Sequence, residues 1–334
     1  MTPSGSNHNG NKNPARIRLC SYNLRVDHSD DQNTKHEWSL RRPLVVSSIL
    51  GLDADLMGVQ EPSPLQARHL EHDLGTGWGV ALEACDPHAW ERATEESGPN
   101  DGQARDGNGF VWKTSTFALE RFRTVWLNPI PNKPHPPSLK KDGSVVGAWG
   151  GSKYQRTVAV GHFKHLQTRK MVVAFSGHFD HVGSDDNFPE KQHSSQARIQ
   201  SAELLMKEAL FEGEKNQQHN TMVVVMGDFN TFLDRSGACY KALVDGANGK
   251  LLDVRDMGPE IDVGRQGATW EGWESNPWCR SNKGNSRLDQ MFCTPNVAVH
   301  KTFVPNELFD MEWKSKMTKV YPSDHMPIVT DISF

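Results

Sequence analysis

Residues 221–231 read TMVVVMGDFNT, an apolar run from Met222 to Met226 that stops at a glycine, an acid and, two places on, an amide. The run is short, β-branched and closed by a chain breaker, which predicts a buried strand. Asp228 and Asn230 then stand where strand gives way to loop. In α/β proteins that edge overlooks the crevice in which ligands bind. Alternate residues of an extended segment point the same way, so Asp228 and Asn230 can share the crevice, one to accept a proton and the other to hold an oxygen. The competing reading of Gly-Asp-x-Asn is an Asx-type turn. What decides between them is that other strand ends in the chain finish in the same manner.

Upstream, Tyr154 to His162 and Lys170 to Ser176 read as strands, the second leading into Gly177, His178, Phe179, Asp180 and His181. The same period places His178 and Asp180 on one side, where a histidine can donate to a phosphate oxygen or pass a proton to a leaving group. A lone histidine is more often structural; two flanking an aspartate at a strand end carry more weight. A helix from Pro189 to Glu212, apolar at Ile199, Ala202, Leu205, Met206 and Ala209, is predicted to cover the sheet. Downstream come a short helix and turn between Ser236 and Val254, then a loop from Val263 to Asn285. Leu288 to Phe292 is a strand with Asp289 near its start, and Asp324 and His325 directly precede a terminal strand, Pro327 to Ile332.

Toward the N-terminus, Ile17 to Leu24 reads as the first strand and delivers Asn23 at its end, with turn capping as the alternative use of that residue. A helix is expected from Trp38 to Leu50, apolar at Leu44, Val45, Ile49 and Leu50 and closed by Gly51. Leu56 to Gln60 is the second strand. It ends at Glu61, which the following Pro62 should hold extended. The alternative makes Glu61 a surface acid at the positive end of a helix over Pro64 to Leu74. Gly109 to Lys113 and Phe117 to Trp126 are expected to form a strand pair joined by a short turn. Two polar stretches, Ala84 to Asn108 and Leu127 to Ser152, are expected as loops, the first beside the site and the second either folding over the crevice or a surface insertion.

The 334 residues suffice for one well-buried core, and no glycine- or proline-rich linker divides them. One domain over residues 16–334 is expected behind a head, MTPSGSNHNGNKNPA, too polar to order itself. The head lacks the apolar core of a signal peptide and no stretch reaches the roughly 18 apolar residues of a membrane span, so a soluble protein is expected, cytoplasmic or nuclear. Five cysteines without CxxC spacing suggest reduced thiols and not a zinc site. A formal charge of -4 gives no global attraction to polyanions. Nucleic acid would need a local basic groove, for which Arg121 with Arg123, or Lys314, Lys316 and Lys319, are candidates beside the ordinary reading of solvated faces.

Collected, the polar residues at strand ends are Asn23, Glu61, His178, Asp228, Asn230, Asp289, Asp324 and His325. Carboxylate oxygens suit Mg2+ or Mn2+, amides hold a substrate oxygen, and histidines handle phosphate charge and protons, which together point to phosphoester hydrolysis. The motifs SYNL, GVQEP, SGHFDH, GDFN, RLDQMF and SDHMP, in that order, resemble the endonuclease/exonuclease/phosphatase superfamily. That metal-dependent group includes pancreatic deoxyribonuclease, abasic-site endonucleases, deadenylases and inositol-phosphate phosphatases, and the wording is nearest its deadenylase-like branch.

The resemblance implies an α+β fold, a four-layer α/β/β/α sandwich with two packed mixed sheets. It implies Glu61 as principal metal ligand with Asn23 and Asp324 beside it, Asp228 orienting or deprotonating the attacking water, and Asn230 positioning phosphate. His325 would contact the scissile phosphate, held in its tautomer by Asp289, while His178 stabilises the phosphate or assists the leaving group. Arg156 and Arg198 resemble phosphate-contacting arginines of that branch, with solvated surface arginines as the alternative. Ser176 and Gly177 depart from the Asn-Thr that usually precedes the histidine. The function expected first is a divalent-metal-dependent phosphodiesterase, a 3′-to-5′ exonuclease on RNA, with no obligate protein partner and no membrane. Second stands a phosphatase or phosphodiesterase of a small phosphorylated molecule, an inositol or sugar phosphate. A noncatalytic binding module is third, and no metal carboxylate is missing to favour it.

Overall fold

The computed structural model describes residues 15–85, 107–134, 138–139, 145–146, 149, 155–181, 189–215, 221–231, 234–263, 267–272 and 287–334. The expected N-terminal head and much of the expected loops at 84–108, 127–152 and 263–285 lie outside the described residues. In chain order the first half contains β1 (Arg16–Asn23), α1 (Trp38–Leu52), β2 (Leu56–Gln60), α2 (Pro64–Leu74), β3 (Trp78–Ala84), β4 (Gly107–Lys113) and β5 (Phe117–Trp126). Then follow β6 (Ser138–Leu139), β7 (Val145–Val146), β8 (Thr157–His165), β9 (Met171–His178), α3 (Pro189–Lys215), β10 (Met222–Asp228), α4 (Ala238–Ala247) and β11 (Leu252–Asp253). The last part holds α5 (Val254–Met257), β12 (Glu260–Ile261), β13 (Asp289–Cys293), β14 (Ala298–Phe303), β15 (Phe309–Trp313), β16 (Lys316–Val320) and β17 (Ile328–Ser333).

Seven strands form one mixed sheet in the order β12-β14-β17-β1-β2-β4-β3, and six form a second in the order β11-β13-β10-β9-β8-β5. The alternation of side chains along each strand makes these sheets the two middle layers of a sandwich. Ile17 and Leu19 of β1 and Leu56 of β2 meet Val172 and Ala174 of β9 and Met222, Val224 and Met226 of β10 in the central core. The intervening residues face outward. Cys20, Tyr22, Met57 and Val59 pack under α1 and α2 through Val45, Ile49 and Leu70. On the other face Val173, Phe175, Val223 and Val225 pack under α3 and α4 through Leu205, Met206 and Leu243. The α+β sandwich of two mixed sheets with helices on its outer faces is therefore present.

The sheets close to contact at Gly58, where a Cβ would lie 2.7 Å from the Met226 side chain. They are also bonded across the gap, since Ser176 Oγ donates to the Val59 carbonyl at 3.0 Å and Gln60 Nε2 donates to Ser176 Oγ at 2.9 Å. The serine that departs from the family wording thus ties one sheet to the other.

Several local expectations are corrected. β4 and β5 are not paired: β4 lies between β2 and β3, and β5 pairs with β8 in the opposite sheet. The turn at Thr114–Thr116 carries the chain between layers, because Phe110, Trp112 and Phe117 all close around Phe163 at ring distances of 5.2, 5.3 and 6.1 Å. Gly51 does not end α1, which runs to Leu52 and is closed by Asp53 in the left-handed conformation (φ 52). Leu50 is exposed, leaving Val45 and Ile49 as the buried stripe. Strands β3, β14, β15 and β16 carry too little apolar alternation to announce themselves, and partners in the fold hold them.

Candidate active site

Three neighbouring strands of the six-stranded sheet end in one polar row. His178 stands opposite Asp228 in the parallel β9–β10 register, and Asp228 opposite Asp289 in the antiparallel β10–β13 register. All three continue the inward-facing set of their strands, so the central core becomes a polar site where its apolar residues run out. Asn23, inward on β1, reaches the row from the other sheet. Its Nδ2 donates to Glu61 Oε1 at 2.8 Å and to Asp228 Oδ2 at 3.0 Å.

The turn reading offered for the strand ends is present at both Asp228 and Asn23. Asp228 Oδ1 accepts from Asn230 N at 3.0 Å, an Asx turn, while Oδ2 faces the site; Asn23 Oδ1 likewise accepts from Arg25 N at 2.9 Å. Asn230 has φ 48, and its Nδ2 donates to the Phe179 carbonyl at 3.1 Å, so it stitches the β10 end to the β9 end.

Glu61 is not extended, contrary to the pre-proline expectation, but sits at φ 75. Gln60 already faces the central core, so an extended Glu61 would point toward the helices. The left-handed turn brings its carboxylate back to Asn23, with Oε2 accepting from Val26 N at 3.0 Å, and its own N–H donates to the Gly107 carbonyl at 2.9 Å. Nor does it cap α2, where Ser63 and Gln66 form a capping box. Burial works against its charge, but the ring edge that His178 turns toward it, together with the Arg25 and His325 charges and the Asn23 amide, outweighs that and holds the carboxyl below its ordinary range.

His325 Nδ1 lies 3.0 Å from Asp289 Oδ2, and Nε2 lies 3.6 Å from Asp228 Oδ2. Burial disfavours the imidazolium, yet Asp289 and Asp228 prevail and its pKa is pushed up to about 10. Burial holds the Asp289 carboxyl above its usual range despite His325. His178 Nε2 lies 3.6 Å from Asp228 Oδ2 and 3.8 Å from Glu61 Oε1. Asp228 is thus faced by an amide and two imidazoles.

Asp324 lies beside this group and not within it: Ser323 Oγ stands 3.4 Å from its Oδ1, and Arg25 Nη1 is 3.7 Å from its Oδ2. Arg156 and Arg198 are buried and not solvated. Arg156 donates toward His178 Nδ1 and His181 Nδ1, each at 2.9 Å, and Arg198 donates to the Asp180 carbonyl at 3.1 Å.

Sequence reading missed Arg25 and Arg41. Arg25, at φ 58, pairs with Asp31 at 3.0 Å and reaches Asp324. Arg41 is fully buried and donates to four carbonyls, those of His36, Leu24, Arg25 and Pro322, at 2.7–3.0 Å. It joins the loop after Asn23 to the loop before Asp324, and Ser323 Oγ reinforces the joint by donating to the Asn23 carbonyl at 2.7 Å. An arginine in an amphipathic helix carries no local sign of such use.

Glu61, His178 and Asp228 each bring a ligating atom within 4.8 Å of the others, as do Asp228, Asp289 and His325. Two carboxylate oxygens drawn onto one side-chain NH2, that of Asn23, form a hard, anionic donor set, which fits a divalent ion. Asn23 presents its nitrogen to that set, its oxygen being taken by Arg25 N.

A model of the Endonuclease/Exonuclease/phosphatase family matches residues 20–325, and the chain belongs to that family. Its members are metal-dependent phosphoester hydrolases, and so is this enzyme. No curated protein sequence matches the chain. Among solved structures, an endonuclease/exonuclease/phosphatase family protein from Bacteroides thetaiotaomicron is similar with TM-score 0.74 and 22% identity, covering 96% of each chain. A mannosyl-6-phosphatase from the same organism has TM-score 0.71 and 22% identity, covering 95% of this chain and 100% of that one. The catalytic domain of human Nocturnin with bound sulfate has TM-score 0.58 and 15% identity, covering 96% and 94%. No helix among the described residues is long and apolar enough to cross a membrane.

Proposed function

We propose that this metal-dependent phosphoester hydrolase acts on a small phosphorylated molecule, a sugar or inositol phosphate, by in-line attack of a water activated by Asp228. The observation that carries the chemistry is the row His178–Asp228–Asp289 with His325 and Glu61 closed around it. Asp228 Oδ1 accepts from the Asn230 N–H, and Oδ2, which accepts from Asn23 Nδ2 at 3.0 Å, keeps a second lone pair to orient a water and take its proton. His325, held charged by Asp289 and Asp228, stabilises negative charge on the phosphoryl oxygens from one side, and His178 donates from the other. Asn230 positions the phosphate by fixing the turn that joins the two strand ends. Glu61 would be the principal holder of a Mg2+ or Mn2+ ion, with Asp324 next to it. When bound, such an ion supplies Lewis-acid neutralisation of charge on the phosphoryl group.

Sequence alone ranks RNA first, and electrostatics turns the preference. A polynucleotide needs a track of free cations beyond the scissile phosphate. Of the five residues in the basic runs that sequence offers, two are taken, Arg123 by Glu208 at 2.9 Å and Glu212 at 3.1 Å and Lys319 by Asp310 at 3.0 Å, so each run is interrupted by an ion pair. The net charge of -4 points the same way. The likeness to a mannosyl-6-phosphatase over the whole of that chain supports the reading.

The test compares kcat/KM on sugar 6-phosphates, inositol phosphates and labelled oligo(A), with and without EDTA. Small phosphates should be preferred, EDTA should abolish turnover, and Asp228→Ala should lose at least ~100-fold. Preferred shortening of oligo(A) from its 3′ end would overturn the substrate assignment, and full turnover in Asp228→Ala would overturn the mechanism.

A further inference from the structure

Arg156 lies directly before β8 and holds its guanidinium between two imidazoles, Nη1 at 2.9 Å from His178 Nδ1 and Nη2 at 2.9 Å from His181 Nδ1. A guanidinium has donors only and is not deprotonated in a protein. Each ring nitrogen facing it must therefore offer a lone pair. The proton of His178 is left on Nε2, the nitrogen that looks toward Asp228 Oδ2 at 3.6 Å and Glu61 Oε1 at 3.8 Å. A protonated ring nitrogen donates; it has no lone pair for a metal ion.

We infer that Arg156 is a positioning residue that fixes the tautomer of His178, making that ring an Nε2–H donor to a substrate oxygen and keeping it out of the metal's ligand set. His181, at the rim, is the second arm of the clamp. The arginine's own reach supports this, since it is buried and its two terminal nitrogens are turned to the histidines. What the donor is aimed at rests on the hydrolase reading; the tautomer does not. Were Arg156 absent, His178 could carry its proton on Nδ1 and turn a bare Nε2 to Glu61 and Asp228. That Glu/Asp/His set suits Zn2+ or Co2+ better than the all-oxygen set suits them.

The experiment uses the metal-free full-length protein labelled with 15N-histidine, with His178→Ala to assign the signals. Two-bond proton–nitrogen correlations should show His178 and His181 protonated at Nε2 and bare at Nδ1. An Nδ1–H or doubly protonated pattern for His178 in the wild type overturns the inference, whatever any variant does. In Arg156→Ala the His178 pattern should become a mixture of tautomers, and Zn2+ should bind more tightly than to wild type, a gain that the added His178→Ala removes. Turnover in Arg156→Ala should fall ~10–100-fold in kcat with KM little changed, and Arg156→Lys should recover part of it. A raised KM at unchanged kcat would make Arg156 a substrate contact and overturn the clamp. The expected tautomer in a protein that hydrolyses no phosphoester would leave the clamp standing and sink the hydrolase reading instead.

Discussion

Replacing Asp289 by Asn removes one charge and almost no volume from its pair with His325, and the outcome can be worked from the geometry. His325 is flanked by Asp289 at 3.0 Å and Asp228 at 3.6 Å, and although burial works against its charge these carboxylates bring its pKa to about 10 from an ordinary 6.5. The folded value lies above the unfolded one, so the stabilisation is complete below pH ~6.5 and is lost as pH rises through about 10. At ~1.4 kcal/mol per pH unit the ceiling is ~5 kcal/mol. The net is smaller, because burial holds the Asp289 carboxyl above its usual range and its ionisation opposes folding at neutral pH. Asparagine can keep a hydrogen-bond partner but not the charge, and a bond to a charged group is worth ~1.5–3 kcal/mol. The His325 pKa should therefore fall by roughly 1–2 pH units in Asp289→Asn. In metal-free protein the urea midpoint of the wild type should drop between about pH 7 and 10, more steeply than that of the variant. In the kcat/KM profile the alkaline limb of Asp289→Asn should begin lower by the same roughly 1–2 pH units. Coincident limbs together with parallel urea midpoints would refute the shared charge.

Four further outcomes are expected. Gly227 sits at φ 156, and a Cβ there would stand 2.1 Å from the Gly177 carbonyl oxygen, so Gly227→Ala should lose ~2–4 kcal/mol by urea denaturation. Gly51→Ala, inside α1 with nothing within 4 Å of its Cβ, should gain up to ~1 kcal/mol in the same assay, and equal midpoints would contradict the contrast. Arg41→Ala strips a donor from four carbonyls, two of them in buried bonds, and should cost ~3–5 kcal/mol, with Arg41→Lys intermediate; a thermal melt matching wild type would contradict it. Glu61→Gln should weaken Mn2+ binding at least ~10-fold by calorimetry, and unaltered affinity would remove Glu61 as the principal ligand.

The strand ends are legible because their signals are local. An apolar run, a breaker and a polar residue two places on define β10 with Asp228, and the same signs find His178, Asp289 and the loop holding Asp324 and His325. Period-2 alternation then gives the face each residue takes, since it follows from backbone geometry alone. Which strand lies beside which is another matter. β4 and β5 follow one another across three residues and still enter different sheets, because Phe163, some fifty residues away, offers both a common core.

Side-chain partners are equally non-local. Nothing in Gly-Val-Gln-Glu-Pro says that Glu61 turns to φ 75, a conformation held by bonds to Asn23, Val26 and Gly107. Nor does any motif reveal that Arg41 spans two loops nearly three hundred residues apart, or that Arg156 grips two imidazoles. The sequence by itself determined which chemical groups stand at strand ends and, for those still within a strand, on which face. Only the tertiary structure decided which of them touch, because a buried donor takes whatever acceptor packing brings near it, and packing is a property of the whole chain.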